Sequence, residues 1–115
     1  MDLTELLMLL KSVTGMEVYQ DICTDEEADM YITYIYQDER PVLCADNEVQ
    51  ADRCDIYVNL YTPLGYDYFA TKKKIKEFLE GNEFIITSVS TGIEVFEEKK
   101  IRRTTFDCGY AAFRE

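Results

Sequence analysis

The sequence has no histidine and no tryptophan, and its 115 residues include only two prolines and five glycines. Without histidine, neither a Ser-His-Asp nor a Cys-His catalytic arrangement is possible. The glycines are scattered singly, which excludes a glycine-rich phosphate loop. The sequence predicts no zinc site, because none of the four cysteines belongs to a Cys-x-x-Cys pair: Cys23, Cys44, Cys54 and Cys108.

Long apolar runs and an excess of basic residues are also missing. No apolar run is long enough to span a membrane and no signal peptide is predicted, so we expect folding in a reducing cytoplasm. The chain has 23 acidic and 12 basic residues, and its net charge of −11 argues against a nucleic-acid-binding surface. None of the acids forms a distinctive pair for acid–base chemistry. We therefore expect no enzymatic activity, no cofactor and no bound metal.

The acidity is concentrated in one part of the chain. Residues 21–55 contain 11 acidic and two basic residues, a net charge of −9, whereas residues 66–115 contain nine of each. The simpler interpretation is a solvated acidic face. The alternative is a surface that repels DNA or binds a basic partner.

What the sequence does contain is the pattern of a sheet-and-helix core. Leucines at helical spacing predict a helix over residues 3–13. A second helix is predicted over residues 66–80, with Asp67 as its N-cap and Gly81 as its stop. The lysines of this second helix are typical of a solvated helix face, with a phosphate contact as the less favoured alternative: Lys72, Lys73, Lys74 and Lys76.

Alternation of apolar and polar residues predicts the strands. The clearest is residues 49–61, with Ile56, Val58 and Leu60 on the core face. The closing strand, 101–113, has Phe106 and Cys108 on one parity. The remaining predicted strands are 17–19, 30–37 and 84–89, the last extended over 93–96 after a break at Gly92.

This order of elements, α-β-β-β-α-β-β, predicts a single α+β domain over residues 1–115. We expect a mainly antiparallel sheet of about four to five strands with two helices packed on one face.

Two apolar features are in excess of what such a core requires. Met8 and Leu9 lie off the main apolar stripe of the first helix, and Val42 and Leu43 stand in a charged loop. A terminal helix that is apolar all round is either covered by its own domain or faces a partner. Local packing is the alternative for the loop. The candidate subunit-interface residues are therefore Met8, Leu9, Val42 and Leu43.

Short strings distributed along the chain resemble a known family. They are Glu5-Leu6-Leu7, Leu10-Lys11-Ser12, Thr14-Gly15 and Val18-Tyr19; Tyr31-Ile32-Thr33-Tyr34 and Ala45-Asp46-Asn47-Glu48-Val49; Tyr57-Val58-Asn59-Leu60-Tyr61-Thr62; and Ile101-Arg102-Arg103-Thr104-Thr105-Phe106-Asp107 with Phe113-Arg114-Glu115. Together they are similar to small tail-completion proteins of siphophages and Gram-positive prophages.

The resemblance implies a tail terminator or tail-to-head joining protein. Such a protein caps the growing tail tube as a ring, usually hexameric, and provides the surface for joining the filled head. The implied fold is α+β, with no catalytic residues. The implied partners are further copies of the chain, the major tail tube protein and a head-completion or neck protein, without specific nucleic-acid binding or a membrane. The implied location is the host bacterial cytoplasm during assembly and then the tail or neck of the virion.

An acidic lumen would keep DNA from adhering as it passes through such a ring. We expect residues 21–55 to contribute to that lumen or to an outer rim. Two other functions stay open: a neighbouring neck or connector protein of similar fold, and a monomeric acidic protein that mimics DNA. A mimic needs acids along one face, but the polar face of strand 49–61 has only Arg53 and Asp55 as charged residues.

Overall fold

A computed structural model of the chain describes residues 3–24, 30–36, 53–96 and 99–111. Two short helices come first and are followed by five strands, with one longer helix between the third and fourth strands. In chain order the elements are α1 (Leu3–Met8), α2 (Leu10–Thr14), β1 (Val18–Gln20), β2 (Tyr31–Tyr36), β3 (Arg53–Pro63), α3 (Phe69–Gly81), β4 (Phe84–Phe96) and β5 (Lys99–Ala111). Helices α1 and α2 are one helical segment interrupted at Leu9, so the predicted order of elements is confirmed.

The five strands form one sheet in the order β1-β2-β3-β5-β4. β1 is parallel to β2, and every other neighbouring pair is antiparallel. The predicted α+β class with a mainly antiparallel sheet is therefore confirmed. Among the described strands, β1 and β4 are the two edges of the sheet, and β2, β3 and β5 lie between them.

The core lies between one face of the sheet and the helices. Val58 on β3 pairs with Phe106 on β5, and both side chains are fully buried. Leu10 of α2 and Ile75 and Leu79 of α3 belong to the same buried cluster, so both helical segments pack on this face. Successive strand residues point to opposite faces, which is why the alternation in β3 predicted its buried side correctly.

Helix α3 begins and ends later than the sequence predicted. The chain first makes a turn, in which the Tyr66 N–H donates to the Pro63 carbonyl at 3.1 Å. Asp67 accepts a hydrogen bond from the Phe69 N–H at 3.2 Å, so it serves this turn rather than capping a helix at residue 66. At the other end the helix continues through Gly81. The Asn82 side chain then donates to the Phe78 carbonyl at 2.8 Å and satisfies one of the helix's last acceptors.

The sequence predicted a break in strand β4 at Gly92, but the strand is continuous there. It runs without interruption from Phe84 to Phe96, and Gly92 pairs with Arg103 of β5. The irregularity lies between Ile86 and Ser88, where one extra residue interrupts the register. A glycine weakens a strand but keeps its backbone donor and acceptor, so pairing with β5 can continue through it.

The other strand boundaries differ by a few residues. β3 continues to Pro63 rather than ending at residue 61, and residues 49–52 of the prediction lie outside the described part of the chain. Pro63 lies beyond Tyr61, the last β3 residue that pairs with β2. A residue without an N–H is tolerated at such a strand end.

Replacing Glu83 with glycine is expected to stabilise the fold. Glu83 is exposed and has a φ of 71°, in the left-handed region. That conformation costs a non-glycine residue about 1–2 kcal/mol. Against this gain, the greater freedom of glycine in the unfolded chain lowers stability by about 0.4–1 kcal/mol. We expect Glu83→Gly to raise the free energy of unfolding by roughly 0.5–1 kcal/mol in urea titrations. Glu80→Gly, inside the helix, is the control and should lower it by a similar amount.

Candidate subunit interface

Three apolar side chains are exposed on the N-terminal helical segment, where α1 meets α2. They are Met8, Leu9 and Val13, each more than a third exposed, and we call them the helical corner. Leu7 and Leu10 are fully buried in the core. The segment therefore buries one side and leaves a second apolar side in contact with solvent. Two of the four candidate interface residues, Met8 and Leu9, are thus surface residues.

The other two candidates, Val42 and Leu43, lie outside the described residues. The same is true of most of the acidic segment 21–55, including residues 25–29 and 37–52. Where that segment is described, Asp21 is exposed and Asp55 is half-buried.

A second exposed apolar surface lies where the β4–β5 hairpin passes the start of α3. Ile93 pairs with Arg102 and Val95 pairs with Lys100, and paired residues on neighbouring strands project from the same face. This is the face that carries Phe106 and the helices, since Arg102 and Phe106 have the same parity in β5. Ile93 is 57% and Val95 is 60% exposed.

Arg102 connects the hairpin to the segment that leads into α3. Its guanidinium lies 4.8 Å from the centre of the Tyr68 ring, and its Nη1 donates to the Leu64 carbonyl at 3.1 Å. The Phe69 ring stacks on Tyr68 with 4.6 Å between ring centres. Lys72 approaches the same Tyr68 ring, with its Nζ 6.0 Å from the ring centre. We call the whole surface the hairpin patch: exposed Leu64, Phe69, Ile93 and Val95 with the basic side chains Lys72, Lys100 and Arg102.

Sequence reasoning missed the hairpin patch. The alternation of Ile93 and Val95 around Glu94 was a visible signal, but it does not say which face of the sheet these residues occupy. The extra residue between Ile86 and Ser88 reverses the parity of β4, so Val89, Ile93 and Val95 share the face of Phe84 and Ile86. Only the register with β5 shows this.

The face of the sheet opposite the described helices carries two ladders of side chains. Tyr31 stacks on Tyr61 at 4.6 Å between ring centres, and Tyr19 meets Tyr31 edge-on at 6.2 Å. In the second ladder, Asn59 donates to the Thr33 hydroxyl at 3.3 Å and accepts from the Thr105 hydroxyl at 2.7 Å. These contacts satisfy the buried amide of Asn59 and tie β2, β3 and β5 together.

Tyr31 is expected to make the fold less stable as the pH rises into the alkaline range. Burial, and next the neighbouring Tyr61, raise the pKa of Tyr31 from 10.0 to about 12. Between these two values the unfolded chain loses the Tyr31 proton and the folded chain keeps it, so the free energy of unfolding falls as pH rises. We expect Tyr31→Phe to show a shallower fall than the unmodified chain across this window, measured by urea unfolding. Equal slopes would contradict the assignment to Tyr31.

The chemistry of the remaining described side chains is limited. The Cys108 thiol is buried and donates to the Ile56 carbonyl at 3.5 Å, and neither Cys108 nor Cys23 is in a disulfide. Within residues 3–24, 30–36, 53–96 and 99–111, no three His, Cys, Asp or Glu side chains come together to hold a metal ion. The longest described helix has 13 residues, and no described helix combines the length and apolar character needed to cross a membrane.

The described part of the chain thus presents two apolar surfaces, the helical corner and the hairpin patch, on separate elements of one α+β domain. Neither the models of known protein families nor the curated proteins gave a match to this chain.

Proposed function

We propose that this chain is a structural component of phage or prophage tails, which caps the tail tube as an oligomeric ring and forms the tail side of the head–tail junction. The resemblance of residues 5–19, 31–34, 45–49, 57–62 and 101–115 to tail-completion proteins supports this function. The α+β fold agrees with what that resemblance implies. The helical corner is the observation that carries the proposal, because an exposed apolar cluster beside a well-buried core is typical of an interaction surface.

A ring repeats each of its contacts in every subunit. Fully burying a leucine or methionine side chain contributes about 1.5–3 kcal/mol, and the helical corner keeps roughly two-fifths of that surface exposed in the single chain. Each of its side chains can therefore contribute about 1 kcal/mol on contact with a partner. The partners are further copies of the chain, the major tail tube protein and a head-completion or neck protein. Assembly takes place in the host cytoplasm and the product is part of the virion.

The test is a tube-capping experiment with the major tail tube protein of the same genome. We expect negative-stain images to show rings of the chain at the ends of the tubes. Met8→Gln combined with Leu9→Gln is expected to abolish these caps and to lower the urea midpoint only moderately, because about two-fifths of each side chain is exposed in the single chain. Lys73→Gln, an exposed substitution on α3, is the control and should cap normally.

Three results would contradict the proposal. Caps that persist in the variant with Met8→Gln and Leu9→Gln would show that the helical corner is not part of the contact. Rings that join heads but never tubes would identify a neck or connector protein instead. A strict monomer that binds a basic DNA-binding protein would favour the acidic DNA mimic.

A further inference from the structure

Helix α3 carries its charges in an order that stabilises the helix poorly on its own. Its four lysines all come before its two glutamates, with no acidic residue in the first turn and no basic residue in the last. The dipole of a helix favours the opposite order, with acids near the N-terminus and bases near the C-terminus. Two pairs four residues apart, Lys73 with Glu77 and Lys76 with Glu80, also have the lysine first, which is the weaker orientation. The stability of α3 therefore does not explain the order of its charges.

Four of these charges lie on the outer face of α3. The residues that the helix buries are on its inner face: Thr71, Ile75 and Leu79. Lys73 and Glu80 are seven residues apart, about two turns, so they lie nearly on one line on the opposite side. Lys76 and Glu77 lie between them along the axis, one on each side of this line. All four side chains are exposed, and within the described part of the chain no ion pair involves any of them. We call these four residues the outer charges.

The outer charges are complementary to themselves when their order is reversed. Along the helix, the midpoint between Lys73 and Glu80 is also the midpoint between Lys76 and Glu77. If a second α3 lies antiparallel with its midpoint at the same place, Lys73 is opposite Glu80 and Lys76 is opposite Glu77, each twice. Among the outer charges, no two of like sign are then opposite each other. The dipoles of the two helices also oppose each other, which is the favourable arrangement.

We infer that the outer face of α3 binds the same face of a second copy of this chain, with the two helices antiparallel. The contact is isologous, because both copies contribute the same surface around a two-fold axis. Parallel helices in register would place lysine against lysine, so the order of the charges selects the antiparallel pair. Phe69, which is 65% exposed and one turn before Lys73, adds apolar surface at each end of the contact.

The net charge of −11 on each chain is compatible with this pair. At about 0.1 M salt the Debye length is about 10 Å, so repulsion between charges spread over two chains is largely screened. Opposite charges that meet across the contact are closer than this and keep their attraction. Because exposed ion pairs contribute little individually, the association is weak and reversible.

This contact goes beyond the proposed function and does not depend on it. A two-fold contact is complete with two chains, whereas a ring of more than two subunits needs a contact between two different surfaces. The pair is therefore a second association of the chain, separate from the helical corner.

The test reverses charges on α3 and measures self-association of the full chain by sedimentation equilibrium, at concentrations up to about 1 mM. Lys73→Glu and Glu80→Lys should each weaken dimerisation by about tenfold, because each places like charges opposite each other twice in one pair. Combining them restores both attractions at the original net charge, so the double variant should dimerise like the unmodified chain. Lys74→Glu is the matched control: it makes the same change at an exposed lysine of α3 that is not an outer charge, and it should leave dimerisation unchanged.

A mixture of the two single variants gives the sharpest test. Lys73→Glu has glutamate at both positions and Glu80→Lys has lysine at both, so neither variant pairs well with itself. Mixed in equal amounts they should form a heterodimer, since every glutamate at these positions then faces a lysine. A contact through another surface predicts no such rescue.

The same variants separate association from the stability of the helix. Lys73→Glu and Glu80→Lys each change a charge in the direction that the helix dipole favours, so the urea midpoint should be equal to that of the unmodified chain or slightly higher. It is measured at low concentration, where the chain is a monomer. A clear loss of stability in both variants would assign the charges to α3 itself and overturn the inference.

Three further outcomes would overturn it. An unmodified chain that is strictly monomeric at about 1 mM would exclude the contact. An equal loss in Lys74→Glu would assign the association to net charge instead of the outer charges. Single variants that stay monomeric when they are mixed would exclude the antiparallel pairing of Lys73 with Glu80.

Discussion

Phe106→Ala is expected to lower the free energy of unfolding by about 3–5 kcal/mol. Phe106 is fully buried on β5, and its neighbours in the sheet are Val58 on β3 and Val89 on β4. Removing the ring loses its burial and leaves a cavity between the sheet and the helices, which close packing cannot refill completely. Because single domains are stable by only about 5–15 kcal/mol, this substitution leaves a marginal fold.

Urea unfolding followed by circular dichroism measures the effect. Phe69→Ala is the matched control, because the same side chain is removed from a position that is 65% exposed. Phe69 contacts the Tyr68 ring, so its loss is expected to cost about 1 kcal/mol or less. Similar losses from both substitutions would contradict the placement of Phe106 at the centre of the core.

Leu10→Ala is expected to cost about 2–5 kcal/mol, whereas Leu9→Ala, at a side chain that is 40% exposed, is expected to cost only about 1 kcal/mol. The two leucines are adjacent in the sequence, but Leu10 is fully buried and Leu9 is part of the exposed helical corner. Leu10 belongs to the same buried cluster as Ile75 and Leu79 of α3, so its truncation loosens the attachment of α2 to the domain. Urea titration of the two variants measures the difference directly.

The same pair separates folding from assembly. Leu10→Ala should impair tube capping as a consequence of lost stability, and lower temperature should partly restore it. The variant with Met8→Gln and Leu9→Gln should instead impair capping at any temperature, because its fold is retained and the contact with the partner is lost. A Leu9→Ala variant that unfolds as readily as Leu10→Ala would show that the helical segment is oriented differently.

Much of the fold could be predicted from the sequence, because the period of the apolar residues is a local property. The alternation in β3 placed Val58 on the buried side, and that in β5 placed Phe106 and Cys108 together, as the structure confirms. The helical spacing of the leucines likewise predicts the N-terminal segment, and the position of Met8 and Leu9 off its main stripe predicts that they are exposed, as they are.

The hairpin patch could not be predicted in the same way, because it depends on register. One extra residue near Ile86 changes the face to which Ile93 projects, and nothing in the local composition marks that position. The break predicted at Gly92 was wrong for a related reason. Glycine lowers the local strand propensity, but the strand is held there by pairing with Arg103 of β5, which local composition does not show. The start of α3 was misplaced because Asp67 can accept a bond in a turn as readily as at a helix cap.

The strand order has a consequence for synthesis of the chain. β3 lies between β2 and β5, and β5 comes later in the sequence than every other described element. While the ribosome is still making β5, β2 is the one described strand that can lie beside β3, so the β5 side of β3 is still open. The acidic segment 21–55, with its net charge of −9, has already emerged by then. We therefore expect repulsion between the acidic segments of nascent chains to lower the tendency of that edge to aggregate before the sheet is complete.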